Sequence, residues 1–309
     1  MIRLASGIKF RHLRTFIEVA RQKSVGKAAD VLAVSQPAVT RTIGELEREL
    51  GVGLFERDGR GIRITRFGEV FLRHAGASVA AIGQGVDSIA QALRLEGPPV
   101  RVGALPTVSA RIMPRAVEQF LETNTGSQLT IVTGENTALL DQLRGGDLDL
   151  VVGRLAAPEM MSGLIFHYLY AERVIFVVRP GHPLLATRDF DFDRIRAFPV
   201  LMPTRRSIIR PFVERFLIAH GIAELPVRVE TVSDSFGRAF LRRSDAIWII
   251  SEGVVANDIS DGTMLALPIE TPETLGAVGL TTRAGASASL SLEILIRAIT
   301  AAAAEARTS

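Results

Sequence analysis

The chain contains no cysteine. This absence excludes disulfides, thiolate metal sites and cysteine nucleophiles, and it favours a reducing compartment, so we expect a cytoplasmic protein. Long apolar runs are missing as well, because no segment reaches the roughly 18 uninterrupted apolar residues that span a membrane. Residues 1–10 also lack the apolar run of about 7–15 residues that a secretory signal contains. We therefore expect neither a membrane segment nor an exported protein.

Enzyme motifs are absent from the sequence too. There is no G-x-S-x-G elbow, no H-E-x-x-H pair and no G-x-x-x-x-G-K-[ST] phosphate loop. The few histidines are too scattered to form a metal motif by spacing: His12, His74, His167, His182 and His220. We expect no catalytic residues, no metal and no resident cofactor.

What the chain does contain is typical of a globular protein, with 47% hydrophobic and 22% charged residues. At 309 residues it is long enough for two or three folding units. Residues 1–68 carry 13 Lys or Arg against 7 Asp or Glu, whereas the whole chain has a net charge of only +3. This basic end indicates a polyanion-binding surface, with a merely solvated basic face as the alternative.

Residues 10–51 predict three short helices. Apolar residues recur at helical spacing over Phe10–Arg21, after a cap at Ser24, and again after a cap at Ser35. Pro37 suits the first turn of the third helix, and Gly51 ends that helix. The turn between the second and third helices is about three residues long, which is typical of a helix-turn-helix. The side chains left facing outward on the third helix have groove-reading chemistry: Gln36, Thr40 and Arg41.

A β-hairpin is predicted next. Two short alternating segments, Leu54–Arg57 and Ile62–Thr65, flank a turn that contains glycine. Its basic side chains would form a wing beside the helices: Arg57, Arg60 and Arg63.

Residues 66–95 predict one long helix. Small or apolar residues recur in steps of three and four along one stripe: Phe71, Ala75, Ser78, Ile82, Val86, Ile89 and Leu93. Such a stripe favours pairing with a partner chain, with a lone helix packed on its own domain as the alternative. Gly97-Pro98-Pro99 then break the pattern and indicate a linker.

Beyond the linker, strands and helices alternate, which predicts parallel sheets covered by helices. Predicted helices include Arg111–Leu121, Thr137–Leu143 and Ser207–Ala219. We therefore expect an α/β protein with an N-terminal all-α winged helix-turn-helix, a long linker helix and a C-terminal domain of two lobes. Clefts between such lobes hold ligands near the carboxyl ends of strands. The expected divisions are 1–68, 69–97 and 98–309, with lobe I over roughly 98–170 and 275–309 and lobe II over roughly 171–274.

The N-terminal residues resemble the LysR family of transcription regulators. The matching residues are Ala28-Ala29, Leu32, Val34–Arg41, Ile43, Leu46-Glu47, Leu50-Gly51, Leu54–Arg57, Thr65 and Gly68. The resemblance implies a periplasmic-binding-protein-like C-terminal domain that binds a small-molecule effector. It also implies a homo-oligomer, a tetramer built as a dimer of dimers, on double-stranded DNA, with RNA polymerase as a candidate partner.

The resemblance places the third helix in the major groove of DNA. There Gln36 suits adenine, Arg41 suits guanine, and Thr40 offers a hydroxyl or methyl contact. The wing arginines suit phosphates or a narrow minor groove, and Arg60 at the tip is the leading choice, with a solvated turn residue as the alternative for the others. Pro37 is structural before anything else. The expected DNA-binding residues are Ser35, Gln36, Pro37, Thr40, Arg41, Arg57, Arg60 and Arg63.

Three loops combine hydroxyl or amide side chains with a predicted helix N-terminus, which attracts carboxylates through free N–H groups and the helix dipole. By the family resemblance these loops face the cleft, and Phe236 would add an apolar wall. Plain capping or packing is the alternative for each residue. Positive charge near the third loop comes from Arg205, Arg206 and Arg210. The expected effector-binding residues are Thr107, Ser109, Asn136, Thr137, Pro203, Thr204 and Phe236.

Two segments, Gly103–Val108 and Val132–Asn136, resemble those of LysR-family members that control protocatechuate catabolism. Members that control sugar uptake are the alternative. The first resemblance implies an activator of aromatic catabolism whose inducer is a di- or tricarboxylate, with 3-carboxy-cis,cis-muconate as the first candidate.

A solute-binding protein is the rival from another functional class, because two lobes alone would support it. That interpretation leaves the helix-turn-helix unexplained, and it requires an export signal that we do not find in the sequence. If the chain is a regulator, we expect the effector to close the cleft and so change the angle between DNA-binding modules. This requires that the effector binds one arrangement of the lobes better than the other.

Overall fold

The computed structural model describes residues 7–59, 61–94, 98–123, 125–186 and 190–308. The fold is mixed α/β, as expected: a small helical N-terminal module, one long helix, and two sheets covered by helices. No helix among these residues is long and apolar enough to cross a membrane.

Three helices form the N-terminal module, as predicted: α1 (Phe10–Gln22), α2 (Val25–Leu32) and α3 (Gln36–Leu50). Ser24 caps α2, since its hydroxyl accepts a hydrogen bond from the Lys27 N–H at 3.4 Å. Ser35 occupies the N-cap position of α3, but its side chain makes no capping bond, so the hydroxyl cap expected there is absent. Pro37 lies in the first turn of α3, where its fixed φ suits the helix.

The wing consists of β1 (Phe55–Asp58) and β2 (Gly61–Ile64), which pair antiparallel. Glu47 of α3 fixes the wing to the helices, because its carboxylate accepts hydrogen bonds from the Leu54 and Phe55 N–H groups at 2.6 and 3.2 Å. In the core of the module the ring of Phe16 lies 5.3 Å from those of Phe55 and Phe71. The module therefore presents α3 and the wing as one rigid unit.

The long helix α4 spans Arg66–Arg94. The predicted stripe divides in two, because Phe71 and Ala75 pack into the core of the N-terminal module, whereas its second half is exposed. The side chains of Ile82, Val86 and Ile89 are 49%, 62% and 65% exposed. The side chain of Leu93 lies outside the described residues. Only this second half is available to a partner chain.

The first lobe is built on a five-stranded sheet in the order β4-β3-β5-β12-β6, in which β4, β3 and β5 run parallel. The chain first forms β3 (Val100–Ala104), α5 (Pro106–Arg111), α6 (Met113–Glu122), β4 (Leu129–Thr133), α7 (Asn136–Gly145), β5 (Leu150–Arg154) and β6 (Leu164–Glu172).

The second lobe follows without a break and has a five-stranded sheet in the order β11-β7-β10-β8-β9. Its elements are β7 (Val174–Val178), β8 (Val200–Met202), α8 (Arg210–Ala219), β9 (Arg228–Glu230), α9 (Asp234–Leu241), β10 (Ile247–Ser251), α10 (Ala256–Ser260) and β11 (Leu265–Ala266). The chain then returns to the first lobe as β12 (Gly276–Arg283) and α11 (Leu290–Thr308). The chain therefore crosses between the lobes twice.

Two predicted helix starts are wrong. The helix expected from Ser207 begins at Arg210, so Thr204 lies six positions before it and cannot cap it. Thr107 and Ser109 were expected to precede a helix near Arg111, but they lie inside the six-residue α5. In both places a proline, at position 211 or 106, occupies the first turn and sets where the helix begins.

The N-terminal module and α4 pack against the first lobe of the same chain through α7. Gly76 of α4 lies so close to the backbone carbonyl of Arg144 that there is no room for a Cβ. Beyond the end of α7, a Cβ on Gly146 would lie 2.9 Å from the Cβ of Ala80. Arg21 and Asp147 form an ion pair of 3.5 Å at the edge of this contact. Glycines therefore allow the two backbones to approach closely.

Candidate DNA-binding surface and interlobe cleft

The outward face of α3 carries the predicted groove-reading residues. Gln36, Thr40 and Arg41 are all exposed. The opposite face of α3 packs into the core of the module through Val39, Ile43 and Leu46. The Thr40 hydroxyl donates to the Gln36 carbonyl at 3.1 Å, whereas the side chains of Gln36 and Arg41 have no partner among the described residues. Amide and guanidinium groups are thus free to meet another molecule.

The wing arginines differ in their surroundings. Arg63 donates to Glu56 across the hairpin at 2.9 Å, and this hydrogen bond raises the pKa of Arg63. Arg57 is exposed and has no side-chain partner within the described part of the chain. Arg60 lies outside the described residues. Of the two described wing arginines, Arg57 carries the uncompensated charge.

A cavity of about 450 Å³ lies between the two lobes, and we call it the cleft cavity. Three predicted effector residues line it from the first lobe: Thr107, Ser109 and Asn136. They meet because β3 and β4 run parallel and deliver the loops after them to the same edge of the sheet. Ser207, Asp234 and Ser235 line it from the second lobe. The wall therefore mixes hydroxyl, amide and carboxylate groups.

The hydroxyls of Thr107 and Ser109 already have partners. Thr107 is buried and donates a hydrogen bond to the carboxylate of Glu172. The same carboxylate accepts from the Gly253 N–H of the second lobe at 2.6 Å, and burial raises the pKa of Glu172. Ser109 donates to the Ala104 carbonyl at 3.3 Å. These side chains hold the wall of the cavity in place.

The other predicted effector residues lie elsewhere. Thr137 lines a neighbouring cavity, described below. Pro203 and Thr204 follow β8 and line neither cavity; the Pro203 carbonyl accepts from Arg210 at 2.6 Å, and the buried Thr204 hydroxyl has no partner among the described residues. Phe236 is 42% exposed, stacks on Phe240 with ring centroids 5.5 Å apart, and also lies outside the cavity wall.

Arg154, which was not predicted as a site residue, ends β5 in the wall of the cleft cavity. It is only 4% exposed, and its Nη2 donates to the carbonyls of Glu172 and Thr274 at 2.5 and 2.6 Å. Its Nε and Nη1 have no partner among the described residues, and its guanidinium carbon lies 5.1 Å from the centroid of the Phe212 ring. The one signal in the sequence is a charged residue ending an otherwise apolar strand at the carboxyl edge of a parallel sheet.

Arg154 therefore connects the two lobes and the two crossings between them. Glu172 ends β6 before the first crossing, Thr274 lies within the second, and Phe212 belongs to α8 of the second lobe. The crossings are also joined to each other, since the Thr274 hydroxyl accepts from the Val174 N–H at 2.9 Å. This arrangement places a buried positive charge at the two crossings between the lobes.

Comparison with known proteins agrees with this architecture. Residues 10–69 match the family described as "Bacterial regulatory helix-turn-helix protein, lysR family", and residues 94–304 match "LysR substrate binding domain". The chain is 65% identical over 298 residues to the HTH-type transcriptional regulator PcaQ of Agrobacterium fabrum, and the match covers 96% of each chain. It is 35% identical over 292 residues to the uncharacterized HTH-type transcriptional regulator YdcI of Escherichia coli, covering 94% of this chain and 95% of that protein.

A solved structure of similar fold is full-length LysG from Corynebacterium glutamicum with bound effector Arg, at a TM-score of 0.61 and 21% identity. The match covers 96% of this chain and 99% of that one, and at this identity it shows the fold alone.

A winged helix-turn-helix joined by a long helix to a two-lobed domain with a cleft defines a ligand-responsive DNA-binding regulator. The chain belongs to the LysR family of transcription regulators. Members of this family bind DNA and a small-molecule effector and are not enzymes.

Proposed function

We propose that the protein activates genes of protocatechuate catabolism in response to a carboxylate inducer, with 3-carboxy-cis,cis-muconate as the first candidate. The observation that carries this proposal is the 65% identity, over 96% of both chains, to PcaQ, a regulator of the protocatechuate pathway. The buried positive charge of Arg154 in the cleft wall supports an anionic ligand. The protein acts in the cytoplasm, where its DNA is.

On DNA, the exposed face of α3 enters the major groove. Gln36 and Arg41 read base edges, because their side chains are free and have the bidentate geometry that adenine and guanine require. Thr40 contacts the groove wall, while Ser35 and Pro37 present the first turn of α3. Arg57 and Arg60 bind phosphates, and Arg63 contributes less because Glu56 already neutralises it.

The active form is a homo-oligomer, a dimer of dimers. Its chains pair through the exposed half of the α4 stripe, whose apolar side chains lack a partner within the described chain. Closure of the cleft around the inducer changes the packing between lobes and, through the oligomer, the angle between DNA-binding modules.

The inducer occupies the cleft cavity and contacts Thr107, Ser109 and Asn136. Asn136 is the leading contact, because its amide makes only a long hydrogen bond of 3.5 Å, to the Arg154 carbonyl. Pro203, Thr204 and Phe236 lie outside the cavity wall, and the proposal does not use them.

A thermal-shift screen tests the proposal, because a ligand that binds only the folded state raises the Tm. We expect 3-carboxy-cis,cis-muconate to raise the Tm and simple sugars to leave it unchanged. Asn136→Ala should remove most of the shift, whereas Phe236→Ala, on the second lobe but outside the cavity wall, should keep it. A shift with sugars alone would contradict the aromatic-catabolism assignment and leave the regulator assignment intact.

A further inference from the structure

A second cavity, of about 500 Å³, adjoins the cleft cavity beside α7. The two cavities share the wall residues Asn136, Arg154 and Ile208. We call the second one the arginine cavity, because Arg154, Arg206 and Arg215 all line it. Among the described residues in its wall there is no acidic side chain. The wall of the arginine cavity thus carries three positive charges, and Glu172, whose carboxylate interacts with the charge of Arg154, lies outside this wall.

The cleft cavity has a different electrostatic character. Glu135 and Asp234 line it together with Arg154, so its wall carries both signs of charge. A negative group in the cleft cavity is repelled by two carboxylates, whereas in the arginine cavity it meets cations alone. A ligand long enough to occupy both cavities is therefore favoured with its negative end in the arginine cavity.

The surroundings of Arg154 and Arg215 favour a bound anion. Arg154 and Arg215 both lie over the Phe212 ring, each with its guanidinium carbon 5.1 Å from the ring centroid. Two like charges beside one ring repel each other, and no carboxylate in the described cavity wall separates them. The Nε and Nη1 of Arg154 have no partner among the described residues, and this side chain is more than nine-tenths buried. Buried polar groups of this kind carry a free-energy cost unless a partner satisfies them.

We infer that the arginine cavity binds one terminal carboxylate of the inducer and thereby selects elongated ligands that carry a carboxylate at an end. This inference rests on the proposed function. Arg154 belongs to the first lobe and Arg206 and Arg215 to the second, so a carboxylate held there bridges the lobes. The body of such a ligand passes Ile208, an apolar side chain shared by both cavities.

Isothermal titration of the full-length protein tests the inference. The variant carries Arg206→Gln together with Arg215→Gln, which removes two charges and keeps polar side chains of moderate length. Its matched control is Arg205→Gln, an exposed neighbour that lines neither cavity. The probes are 3-carboxy-cis,cis-muconate and citrate, the second being a generic tricarboxylate, and circular dichroism verifies that each variant folds.

We expect the double variant to bind 3-carboxy-cis,cis-muconate about 10- to 100-fold more weakly, because charge-assisted hydrogen bonds to carboxylates contribute on that order. The Arg205→Gln protein should stay within about twofold of the wild type. The double replacement by lysine should recover part of the affinity, since it keeps the charge and loses only the planar geometry.

The outcomes separate this inference from the proposed function. Tight binding of 3-carboxy-cis,cis-muconate by wild type and double variant alike would overturn the arginine cavity and leave the proposed function standing. If the wild type does not bind that compound, the proposed function fails. Citrate binding then tests whether the arginine cavity binds a carboxylate. Citrate binding that the double variant loses and Arg205→Gln keeps would support the cavity. Equal citrate binding by the variants, or none by the wild type, would overturn it.

Discussion

At the scale of single residues, the fold favours the neutral form of the buried His182 side chain. It is 1% exposed, and its Nδ1 accepts from the Leu184 N–H at 3.2 Å while its Nε2 lies 3.1 Å from the Asp245 carbonyl. The neutral ring with its proton on Nε2 makes both hydrogen bonds, whereas the charged ring loses the first. Burial accordingly lowers the pKa of His182 below its ordinary value of 6.5.

This pKa has a defined effect on stability. Because the unfolded chain takes up the proton first, the contribution of His182 is present above pH 6.5 and is lost as the pH falls through the lowered pKa. His182→Asn keeps an acceptor for Leu184 but does not titrate. We expect the difference in urea midpoint between wild type and variant to shrink from about pH 8 to about pH 5.5. A difference that is constant or grows toward acid would contradict this account.

Arg41 and Arg57 should contribute to DNA binding in different ways. Arg41→Ala is expected to cost about 1–3 kcal/mol on the specific site and far less on a scrambled duplex, because it removes a base contact. Arg57→Gln should weaken both duplexes alike and lower the slope of log affinity against log salt by about one. Fluorescence anisotropy at several salt concentrations measures both effects. Arg48→Ala, near the far end of α3, serves as the control.

Prediction at this scale works for side chains whose role is local and fails for those with distant partners. The positions of Thr107 and Asn136 at the cleft follow from strand ends, which local sequence reveals. The hydrogen bond of the Thr107 hydroxyl could not be predicted locally, because its partner Glu172 lies 65 positions away. Arg154 was missed because its carbonyl partner at position 274 and its aromatic partner at position 212 are distant in the sequence, and its place at the end of an apolar strand does not by itself reveal them.

At the scale of elements, the exposed half of α4 is the surface through which we propose that chains pair. Val86 is 62% exposed, so Val86→Asp should leave the fold of the single chain intact. In a paired helix the same change buries a charge in an apolar seam, and sedimentation velocity should show smaller oligomers. Ala81→Asp, which is exposed but off the stripe, is the matched control and should keep the oligomer. Equal behaviour of both variants would place the pairing surface elsewhere.

Two glycines of α4 provide a second test. Gly76 has no space for a Cβ against α7, whereas Gly83 has open space around it. Gly83→Ala should stabilise the protein by about 0.5–1 kcal/mol, as alanine does in a helix. Gly76→Ala should instead destabilise the protein, since the added methyl separates α4 from α7. Urea denaturation compares the two, and a gain for both would mean that the contact between α4 and α7 does not form.

Elements with a clear local pattern were predicted, and one strand of the first lobe without such a pattern was not. The three helices of the N-terminal module follow from caps and apolar spacing. The nine-residue strand β6 was missed, because it is held by antiparallel pairing with β12, more than 100 positions later and with an irregularity at Val278. The start of α8 was misplaced, since Arg210 is fixed by the Pro203 carbonyl and by Glu230 from β9.

At the scale of the whole molecule, α7 connects the cleft with the DNA-binding end of the same chain. Asn136 at its start lines the cleft cavity, and Arg144 near its end touches Gly76 of α4. Ten residues of helix span about 15 Å and behave as a rod. We therefore predict that ligand binding at the cleft affects α4 through α7.

Hydrogen exchange measures this connection. Binding of the inducer should slow amide exchange along the whole of α7 and in α4 around Gly76, because ordering one end of a rigid helix reduces its local opening. The Gly76→Ala protein should show protection in α7 alone. Protection confined to the cleft loops of the wild type would show that α7 does not couple the two ends.

Arg154 donates hydrogen bonds to two carbonyls, one just before the first crossing and one within the second. If these bonds hold the two lobes together at Arg154, relative motion of the lobes is a rotation about this residue. The displacement of any point then grows with its distance from residue 154. If the lobes rotate about this point, a carboxylate bound beside Arg154 moves little, whereas parts of the second lobe that lie farther from it move more. Affinity for the ligand and amplitude of the response would then depend on residues at different distances from one pivot.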